Sequence, residues 1–298
     1  MIAIDRRFIP YLFLAPALIV LGLTVFYPAL QALYLSFTQY DLIGDPEWIG
    51  LKNFRRLLKD ELFWLALRNT ILYLICVVPA LVCVPLGLAI LVNQKLKGIQ
   101  WFRVAYYTPV VISMVVAGIA WKWLYDSNGL LNQGLKAIGL PAIAWLTELP
   151  LWSVMAVTIW KGLGYYMVIY LAGLQAIPAD LYEAATIDGS DGWRKHWDIT
   201  LPLMKPYLIL VSVISAISAT KVFEEIFVMT NGGPSNQSST IVFYVYNLAF
   251  QQLRISYGCT VGLVIFLILL CLTLLRLGTQ KLAQSQAETG EMAIDRLA

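Results

Sequence analysis

Six long apolar stretches dominate this sequence and limit what the chain can become. A helix needs about 20 residues to cross the roughly 30 Å hydrocarbon core of a bilayer, and each stretch is long enough. They occupy residues 11–37, 69–93, 104–125, 151–177, 203–229 and 258–277. Of the 298 residues, 59% are hydrophobic and only 13% are charged, a composition outside the range of soluble domains. The sequence therefore predicts an all-α, polytopic membrane protein with six transmembrane helices.

The distribution of basic residues predicts which way the spans run. An even number of spans puts both termini on one side, and Lys and Arg are enriched in cytoplasmic segments. With the N-terminus inside, the inner segments contain eleven such residues: Arg6, Arg7, Lys95, Lys97, Arg103, Arg194, Lys195, Lys205, Arg276, Lys281 and Arg296. The outer segments contain seven, of which five lie in one loop, GLKNFRRLLKDELFWLALR. Both termini are therefore predicted to be cytoplasmic.

This basic outer loop has the hydrophobic pattern of a helix. The apolar residues that recur at helical spacing are Phe54, Leu57, Leu58, Leu62 and Leu65. The pattern predicts an amphipathic segment over residues 48–67 that lies on the outer surface of the membrane.

Several classes of function are disfavoured by the residues that the sequence lacks. It has no Gly-x-x-x-x-Gly-Lys-Ser/Thr phosphate loop, and His196 is its only histidine, so neither ATP hydrolysis nor a histidine metal site is expected. The net charge of +3 is spread along the chain, which argues against nucleic acid as a partner. The four cysteines lie in apolar runs and are expected to act as small hydrophobic residues: Cys76, Cys83, Cys259 and Cys271. No small-residue cleavage site follows the first apolar run, which is therefore expected to remain as a span.

A polar segment of residues 178–202, here called the 178–202 loop, separates the fourth and fifth spans. Pro178 suits the first turn of a helix, PADLYEAATID has an amphipathic pattern, and Gly189 can adopt the left-handed conformation that ends a helix. Ser190 and Asp191 are suited to cap a second short helix that contains two tryptophans. The loop is predicted to protrude as two helices, and this geometry fits an ordinary interfacial pair as well as a docking element.

A spaced motif in the same loop resembles the signature loop of ABC importer permeases. It reads Glu183-Ala184-Ala185, three residues, Gly189, nine residues, Ile199, one residue and Leu201-Pro202. In that family the loop is the coupling helix that docks on the ATPase subunit. The resemblance implies that coupling is performed by Glu183, Ala184, Ala185, Asp188, Gly189, Ile199, Leu201 and Pro202.

Further segments are similar to the sugar-importer branch of that family. They read YLFLAPALIVLGLTVFYPALQALYLSFT, WIGLKNFRRLLKD, LRNTILY, FRVAYYTPVVISMVVAGIAWKWLY, IWKGLGYYMVIYLAGLQAIP and MTNGGPSNQSSTIVFYVYNLAF. The likeness covers residues 10–277, and TNGGP at Thr230–Pro234 resembles the first of the two unlike permeases that pair in importers of the maltose and glycerol-phosphate type. It implies a type I permease fold, with residues 1–298 forming one transmembrane domain in the inner membrane of a prokaryote.

The resemblance also implies partners. They are a second homologous permease, a dimer of ABC ATPases that uses ATP and Mg, and an extracytoplasmic solute-binding protein. The chain itself is expected to bind no cofactor and to catalyse no covalent chemistry.

Charged residues inside predicted spans are costly in a membrane and therefore suggest function. Lys122 lies one turn before Asp126, which favours a local pair or a side chain that reaches the interface. With about 1.5 Å per residue of continuous helix, Lys161 lies about 24 Å and Glu224 about 27 Å from the inner surface. These depths predict a pair between Lys161 and Glu224 or Glu225, and a local pair of Lys221 with Glu225 is the alternative.

The resemblance to maltose-type permeases also implies a sugar site in the middle of the membrane. It falls on Thr158, Gly162, Tyr165, Ser215, Ser218, Ala219 and Val222, to which the charge argument adds Lys161 and Glu224. Hydroxyl groups and a tyrosine ring suit a hydroxyl-rich solute, although small residues such as Ser215 and Ser218 also let helices pack closely. Several positions lack the amide and aromatic side chains that hold maltose, so a different sugar is expected.

These observations predict a permease that forms half of the translocation path for a sugar-like solute. Disaccharides or oligosaccharides, glucosides, polyols and glycerol phosphodiesters all fit. An ion-coupled secondary carrier for a small hydroxylated solute is the alternative, because such carriers use buried carboxylates near the midplane and Glu224 and Glu225 are available.

Overall fold

The computed structural model describes residues 9–42, 44–94 and 96–271. These described residues divide into two compact units, the first within residues 1–60 and 245–298 and the second within residues 61–244. Both are built from helices, and the only strands in the described part of the chain are two residues long.

The first unit contains one long helical segment, a small hairpin and two further helices. Its elements are α1 (Ile9–Leu21), a π-helical turn (Gly22–Phe26), α2 (Tyr27–Ser36), β1 (Thr38–Gln39), β2 (Glu47–Trp48), α3 (Lys52–Leu57), a second π-helical turn (Asn247–Gln251) and α15 (Ile255–Cys271). The strands pair antiparallel, with Thr38 opposite Trp48.

Buried polar side chains hold this unit together. The Asn53 amide donates to the carbonyl oxygens of Ser36 and Thr38 at 3.2 and 2.9 Å. The Thr260 hydroxyl donates to the same Ser36 carbonyl at 3.0 Å. These bonds satisfy backbone carbonyls at the end of α2 and in β1, and they join α3 and α15 to that end.

The second unit is organised around one 32-residue helix. Its elements are α4 (Glu61–Val92), α5 (Ile99–Val111), α6 (Met114–Tyr125), α7 (Leu130–Ala137), α8 (Trp145–Glu148), α9 (Pro150–Gln175), α10 (Ala179–Ile187), a π-helical turn (His196–Thr200), α11 (Leu201–Leu203), α12 (Lys205–Thr220), α13 (Glu224–Met229) and α14 (Ile241–Tyr246). Helix α4 packs against α9 and α12, α5 packs against α9, and α6 packs against α13.

The core of this unit follows from the spacing of apolar residues on α4. Tyr73, Val77 and Leu81 are buried and recur every four residues, which places them on one face of the helix. That face meets α9, where the Tyr73 hydroxyl bonds Thr158 and the Leu81 side chain lies against Gly162. The opposite faces expose large apolar side chains, as expected for helices surrounded by lipid.

Three helices in the described residues are long and apolar enough to cross a membrane: Phe13–Ser36, Glu61–Val92 and Pro150–Gln175. Two bent pairs raise the number to five: Ile99–Val111 with Met114–Ala137 at 101°, and His196–Leu203 with Lys205–Thr220 at 57°. Ile255–Cys271 is a shorter apolar helix, and residues 272–277 of the sixth predicted span lie outside the described residues. The count of six spans therefore stays a prediction.

Two predicted spans are not single helices. The stretch 104–125 breaks where Ile112 and Ser113 adopt extended conformations, with ψ of 133° and 141°. The stretch 203–229 breaks at residues 221–223, between α12 and α13. Apolar composition predicts which stretches lie in the membrane. It does not predict where a helix breaks within such a stretch, because the residues at each break belong to the apolar stretch itself.

The predicted amphipathic segment 48–67 is also divided. Helix α3 ends in a turn in which the amides of Lys59 and Asp60 donate to the carbonyls of Arg56 and Leu57, and α4 then begins at Glu61. The Asp60 carboxylate accepts a 2.5 Å hydrogen bond from the Tyr257 hydroxyl, so its side chain is held in the first unit.

Candidate functional site

A cavity of about 300 Å³ lies in the second unit, bounded by α4, α9, α12 and the break before α13. Its polar lining consists of Tyr73, Thr158, Lys161, Tyr165, Tyr166, Ser215, Ser218 and Glu225. The apolar lining and the glycine are Val77, Leu81, Val110, Gly162, Ile214, Ala219 and Val222. The cavity thus presents hydroxyl groups, tyrosine rings and one side chain of each charge.

The structure brings together eight of the nine residues that the sequence placed on a substrate path. They are Thr158, Lys161, Gly162, Tyr165, Ser215, Ser218, Ala219 and Val222. The exception is Glu224, which is exposed and does not line the cavity, whereas its neighbour Glu225 does. The depth estimate assumed a continuous helix, and the break at residues 221–223 changes which carboxylate faces the cavity.

The predicted pair of Lys161 with Glu224 or Glu225 is not formed in this structure. In the described part of the chain no salt bridge joins Lys161 to either glutamate, or Lys221 to Glu225. The Lys161 ammonium donates instead to the Val110 carbonyl at 3.3 Å. Lys161 and Glu225 therefore both line the cavity without a salt bridge between them.

The local pair predicted for Lys122 and Asp126 is not formed. Its ammonium donates to the Val228 carbonyl on α13 at 3.4 Å rather than pairing with Asp126. Helix α6 ends at Tyr125, and the Asp126 carboxylate instead accepts the backbone N–H of Asn128 at 3.0 Å. The end of the helix removes the one-turn geometry on which the predicted pair depended.

Two tyrosines of the cavity were missed by sequence reasoning. The Tyr73 hydroxyl forms a 2.5 Å hydrogen bond with the Thr158 hydroxyl, which joins α4 to α9 at the cavity wall. Tyr166 packs edge-to-face against Tyr165, with ring centroids 5.1 Å apart. The four-residue spacing of Tyr73, Val77 and Leu81 could have shown that Tyr73 lies on a buried face of α4. It could not have shown that this face borders a cavity.

The 178–202 loop forms a compact turn around Gly189. Helix α10 ends in a Schellman motif: Gly189 has φ of +79°, its N–H donates to the Thr186 carbonyl at 3.2 Å, and the Ser190 N–H donates to the Ala185 carbonyl at 2.8 Å. The predicted left-handed glycine is therefore confirmed. Any other residue except Asn or Asp is strained at such a φ.

Side chains brace the second half of the loop against the first. The Ser190 hydroxyl donates to the Asp198 carboxylate at 2.6 Å, rather than capping a helix as the sequence suggested. Arg194 forms a salt bridge with Asp198 at 3.4 Å. The Thr200 hydroxyl lies within hydrogen-bond distance of the Tyr182 hydroxyl at 3.0 Å and of His196 Nδ1 at 3.1 Å. These hydrogen bonds connect the two halves of the loop.

The exposed surface of the 178–202 loop carries large apolar side chains and a shallow groove. Ile187, Trp193 and Trp197 expose 87%, 73% and 69% of their surfaces. A groove of about 360 Å³ is lined by Leu181, Ala184, Ala185, Asp188, Ser190, Arg194, Asp198 and Ile199. Glu183 is exposed on α10, and Leu201 and Pro202 are the first two residues of α11. Exposed aromatic and apolar side chains around a shallow groove are typical of a protein contact surface.

Comparison with known proteins assigns the chain to a family. Residues 66–283 match the model of the binding-protein-dependent transport system inner membrane component. The arabinooligosaccharides permease protein AraP of Halalkalibacterium halodurans is 35% identical, and the alignment covers 92% of this chain and 88% of AraP. The lactose permease protein LacF of Rhizobium radiobacter is 36% identical, with 89% and 92% covered.

A solved structure agrees with these relatives. A bacterial alginate ABC transporter in complex with an alginate pentasaccharide-bound periplasmic protein contains a chain that superposes with a TM-score of 0.79 at 27% identity. The superposition covers 91% of this chain and 93% of that one. The chain described here therefore belongs to the family of binding-protein-dependent transport system inner membrane components, and is a permease subunit of an ABC importer.

Proposed function

We propose that the chain forms half of the translocation path for a sugar-like solute, in a complex with a second homologous permease and a dimer of ABC ATPases. The ATPases would bind and hydrolyse ATP with Mg, and an extracytoplasmic binding protein would deliver the solute. In this proposal six spans place both termini and the 178–202 loop in the cytoplasm.

The observation that carries the proposal is the meeting of eight predicted residues in one cavity. Serine, threonine and tyrosine hydroxyls can each donate and accept hydrogen bonds, as a sugar requires. The Tyr165 ring is 43% exposed and can cover an apolar face of the sugar. The relatives named for arabino-oligosaccharides and lactose, and the alginate importer, support the same class of solute.

The size of the cavity favours a small solute or one end of a longer one. Its volume of about 300 Å³ lies at the lower end of the range for ligand pockets, roughly 300–1,000 Å³. Lys161 and Glu225 provide charge-assisted hydrogen bonds to hydroxyl groups, and Lys161 would also attract an acidic group on the solute. Disaccharides, glucosides, polyols and glycerol phosphodiesters remain within this class.

The proposed mechanism uses the hydrogen bonds that connect the two halves of the 178–202 loop. Closure of the ATPases would move α10, and the hydrogen bonds around Ser190 and Thr200 would carry that motion to α11. Helix α12 follows after a 57° bend and carries Ser215, Ser218 and Ala219 to the cavity. A displacement of the loop would then move the 16-residue helix α12, and with it the cavity wall that α12 forms. Alternating access requires such a coupled movement.

Solute-stimulated ATP hydrolysis in the reconstituted complex tests this proposal. Glu183→Arg reverses the exposed charge, and Gly189→Pro is incompatible with φ of +79° because proline holds φ near −65°. Both variants are expected to lose stimulation, whereas Gly189→Asn tolerates the left-handed conformation and should retain most of it. A panel of sugars, uronic acids and glycerol diesters would identify the solute.

Two outcomes would overturn the proposal. Normal stimulation in both Glu183→Arg and Gly189→Pro would make the loop an ordinary pair of interfacial helices. Solute uptake by the chain alone, driven by an ion gradient in proteoliposomes, would favour the secondary carrier, for which Glu225 in the cavity is the relevant carboxylate.

A further inference from the structure

The loop between α13 and α14 is fastened to the first part of α4 by one buried amide. The Asn69 side-chain nitrogen lies 3.4, 3.0 and 2.9 Å from the carbonyl oxygens of Asn236, Gln237 and Ser239. Asn69 is only 6% exposed, and its bond to the Ser239 carbonyl is buried. An amide that binds several carbonyls fixes the position of the whole loop relative to α4.

Two threonines extend this attachment. The Thr70 hydroxyl donates to the Ala66 carbonyl at 2.8 Å and accepts the N–H of Ile241 at 2.9 Å, where α14 begins. The Thr240 hydroxyl donates to the Val222 carbonyl at 3.1 Å. Thr240 and Val222 are 1% and 4% exposed, so the bond between them is buried.

Val222 lies in the break between α12 and α13, and both Val222 and Glu225 line the cavity. A break in an apolar region leaves carbonyl groups that need another donor, and Thr240 supplies one at this point. Tyr73 follows Asn69 by about one turn of α4, and its hydroxyl forms a hydrogen bond with Thr158 on α9, at the wall of the cavity. Residues 69–73 of α4 therefore contact two walls of the cavity. Tyr73 bonds the α9 wall directly, and Asn69 and Thr70 reach the break at Val222 through the loop between α13 and α14.

We infer that Thr240 is a positioning residue for the cavity: its hydrogen bond to Val222 holds the helix break in the conformation that turns Glu225 toward the solute. The inference rests on the proposed function in that the cavity is taken to receive the solute. Thr240 itself does not line the cavity. Loss of the Thr240 hydroxyl is therefore expected to change the position of residue 225, which follows the break, and to leave residue 218, which precedes the break, unchanged.

Thiol labelling of the reconstituted complex tests the inference with two reporters in a background without native cysteines. Glu225→Cys reports on the wall after the break, and Ser218→Cys reports on the wall of α12 before it. Each reporter is combined with Thr240→Val, which keeps the shape but removes the hydroxyl, and with Thr240→Ser, which keeps the hydroxyl. Thr108→Val is the matched control, because the Thr108 hydroxyl bonds only to Val104 within its own helix.

Loss of one ordinary hydrogen bond is expected to change the labelling rate of the Glu225→Cys thiol about fivefold in Thr240→Val. The rate should return in Thr240→Ser, and it should not change in Thr108→Val or at the Ser218→Cys thiol. Equal rates at Glu225→Cys in all backgrounds would overturn the inference. Equal changes at both reporters would also overturn it, because they would indicate a general loss of structure.

The same samples separate this inference from the proposed function. If the solute fails to protect either thiol from labelling, the proposed solute site is wrong, while the effect of Thr240 on the break is still measured by the labelling rates. If Thr240→Val does not assemble, Thr240→Ala gives the same comparison, because it also lacks the hydroxyl and removes bulk instead of retaining it.

Discussion

At the residue scale, adjacent carboxylates with the same chemistry have different surroundings. Glu224 is exposed, whereas Glu225 is half-buried and lines the cavity with Lys161. The difference arises because the chain is not helical at residues 221–223, so the orientation of α13 is set independently of α12. Exchanging the charges of Lys161 and Glu224 is therefore not expected to restore transport lost in the single variants.

Neutralising these two glutamates separately should have unequal effects. Glu225→Gln removes a charged acceptor from the cavity and is expected to lower solute-stimulated ATP hydrolysis about tenfold, the loss typical of a hydrogen bond to a charged group. Glu224→Gln should stay within about twofold of the unmodified chain, since exposed charges away from a site contribute little. Initial rates at saturating binding protein would measure both, and a larger effect of Glu224→Gln would contradict the assignment of Glu225 to the cavity.

At the element scale, glycines on α9 determine how closely other helices approach. A Cβ atom at residue 164 would lie 2.2 Å from the carbonyl oxygen of Tyr106 on α5, a distance that no side chain can tolerate. By contrast, a Cβ atom at Gly87 on α4 would have no neighbour within 4 Å. Small residues at helix contacts let backbones pack closely in membranes, and α5 uses this approach to reach α9.

Alanine at these two glycines should separate packing from helix propensity. Gly164→Ala forces α5 and α9 apart and is expected to destabilise the protein by about 1–3 kcal/mol, the usual range for overpacking a core. Gly87→Ala adds a methyl group on an exposed helix face and should leave stability unchanged or slightly increased. The midpoint of thermal unfolding in detergent measures both, and an equal midpoint for the two variants would show that the close approach at Gly164 is not required.

At the scale of the whole molecule, the proposed orientation places Lys136 outside the membrane and Ile187 in the cytoplasm. Lys136 on α7 belongs to a predicted outer segment, and Ile187 on α10 belongs to the 178–202 loop, which is predicted to be cytoplasmic. Both residues are exposed, so a thiol at either position can react with reagent that reaches its side.

Labelling of intact cells with a membrane-impermeant thiol reagent tests this orientation. In a background in which Cys76, Cys83, Cys259 and Cys271 are replaced, Lys136→Cys should be labelled from outside and Ile187→Cys only after the cells are opened. The reverse pattern would invert the orientation and would exclude contact between the 178–202 loop and a cytoplasmic ATPase.

Local patterns in the sequence predicted most of the architecture. Apolar runs predicted the three long apolar helices of the described residues, because transfer of each residue into lipid depends mainly on its own side chain. Gly189 was predicted to end α10, because a left-handed residue is a local requirement of the backbone. The cavity residues on α9 and α12 came from the family resemblance, except for Lys161, which came from the charge argument. That argument assumed continuous helices, so it missed the break and could not decide between Glu224 and Glu225.

The tertiary structure decided what these local patterns could not. The break at residues 221–223, the choice of Glu225 over Glu224 and the role of Tyr73 depend on hydrogen bonds between distant residues: Tyr73 bonds Thr158, 85 positions away, and Thr240 bonds Val222, 18 positions away. Such a bond stabilises a conformation only after packing has excluded water and brought its donor and acceptor together. The sequence by itself therefore determined where helices form and which face is apolar, while the contacts between helices determined where they break and which side chains meet in the cavity.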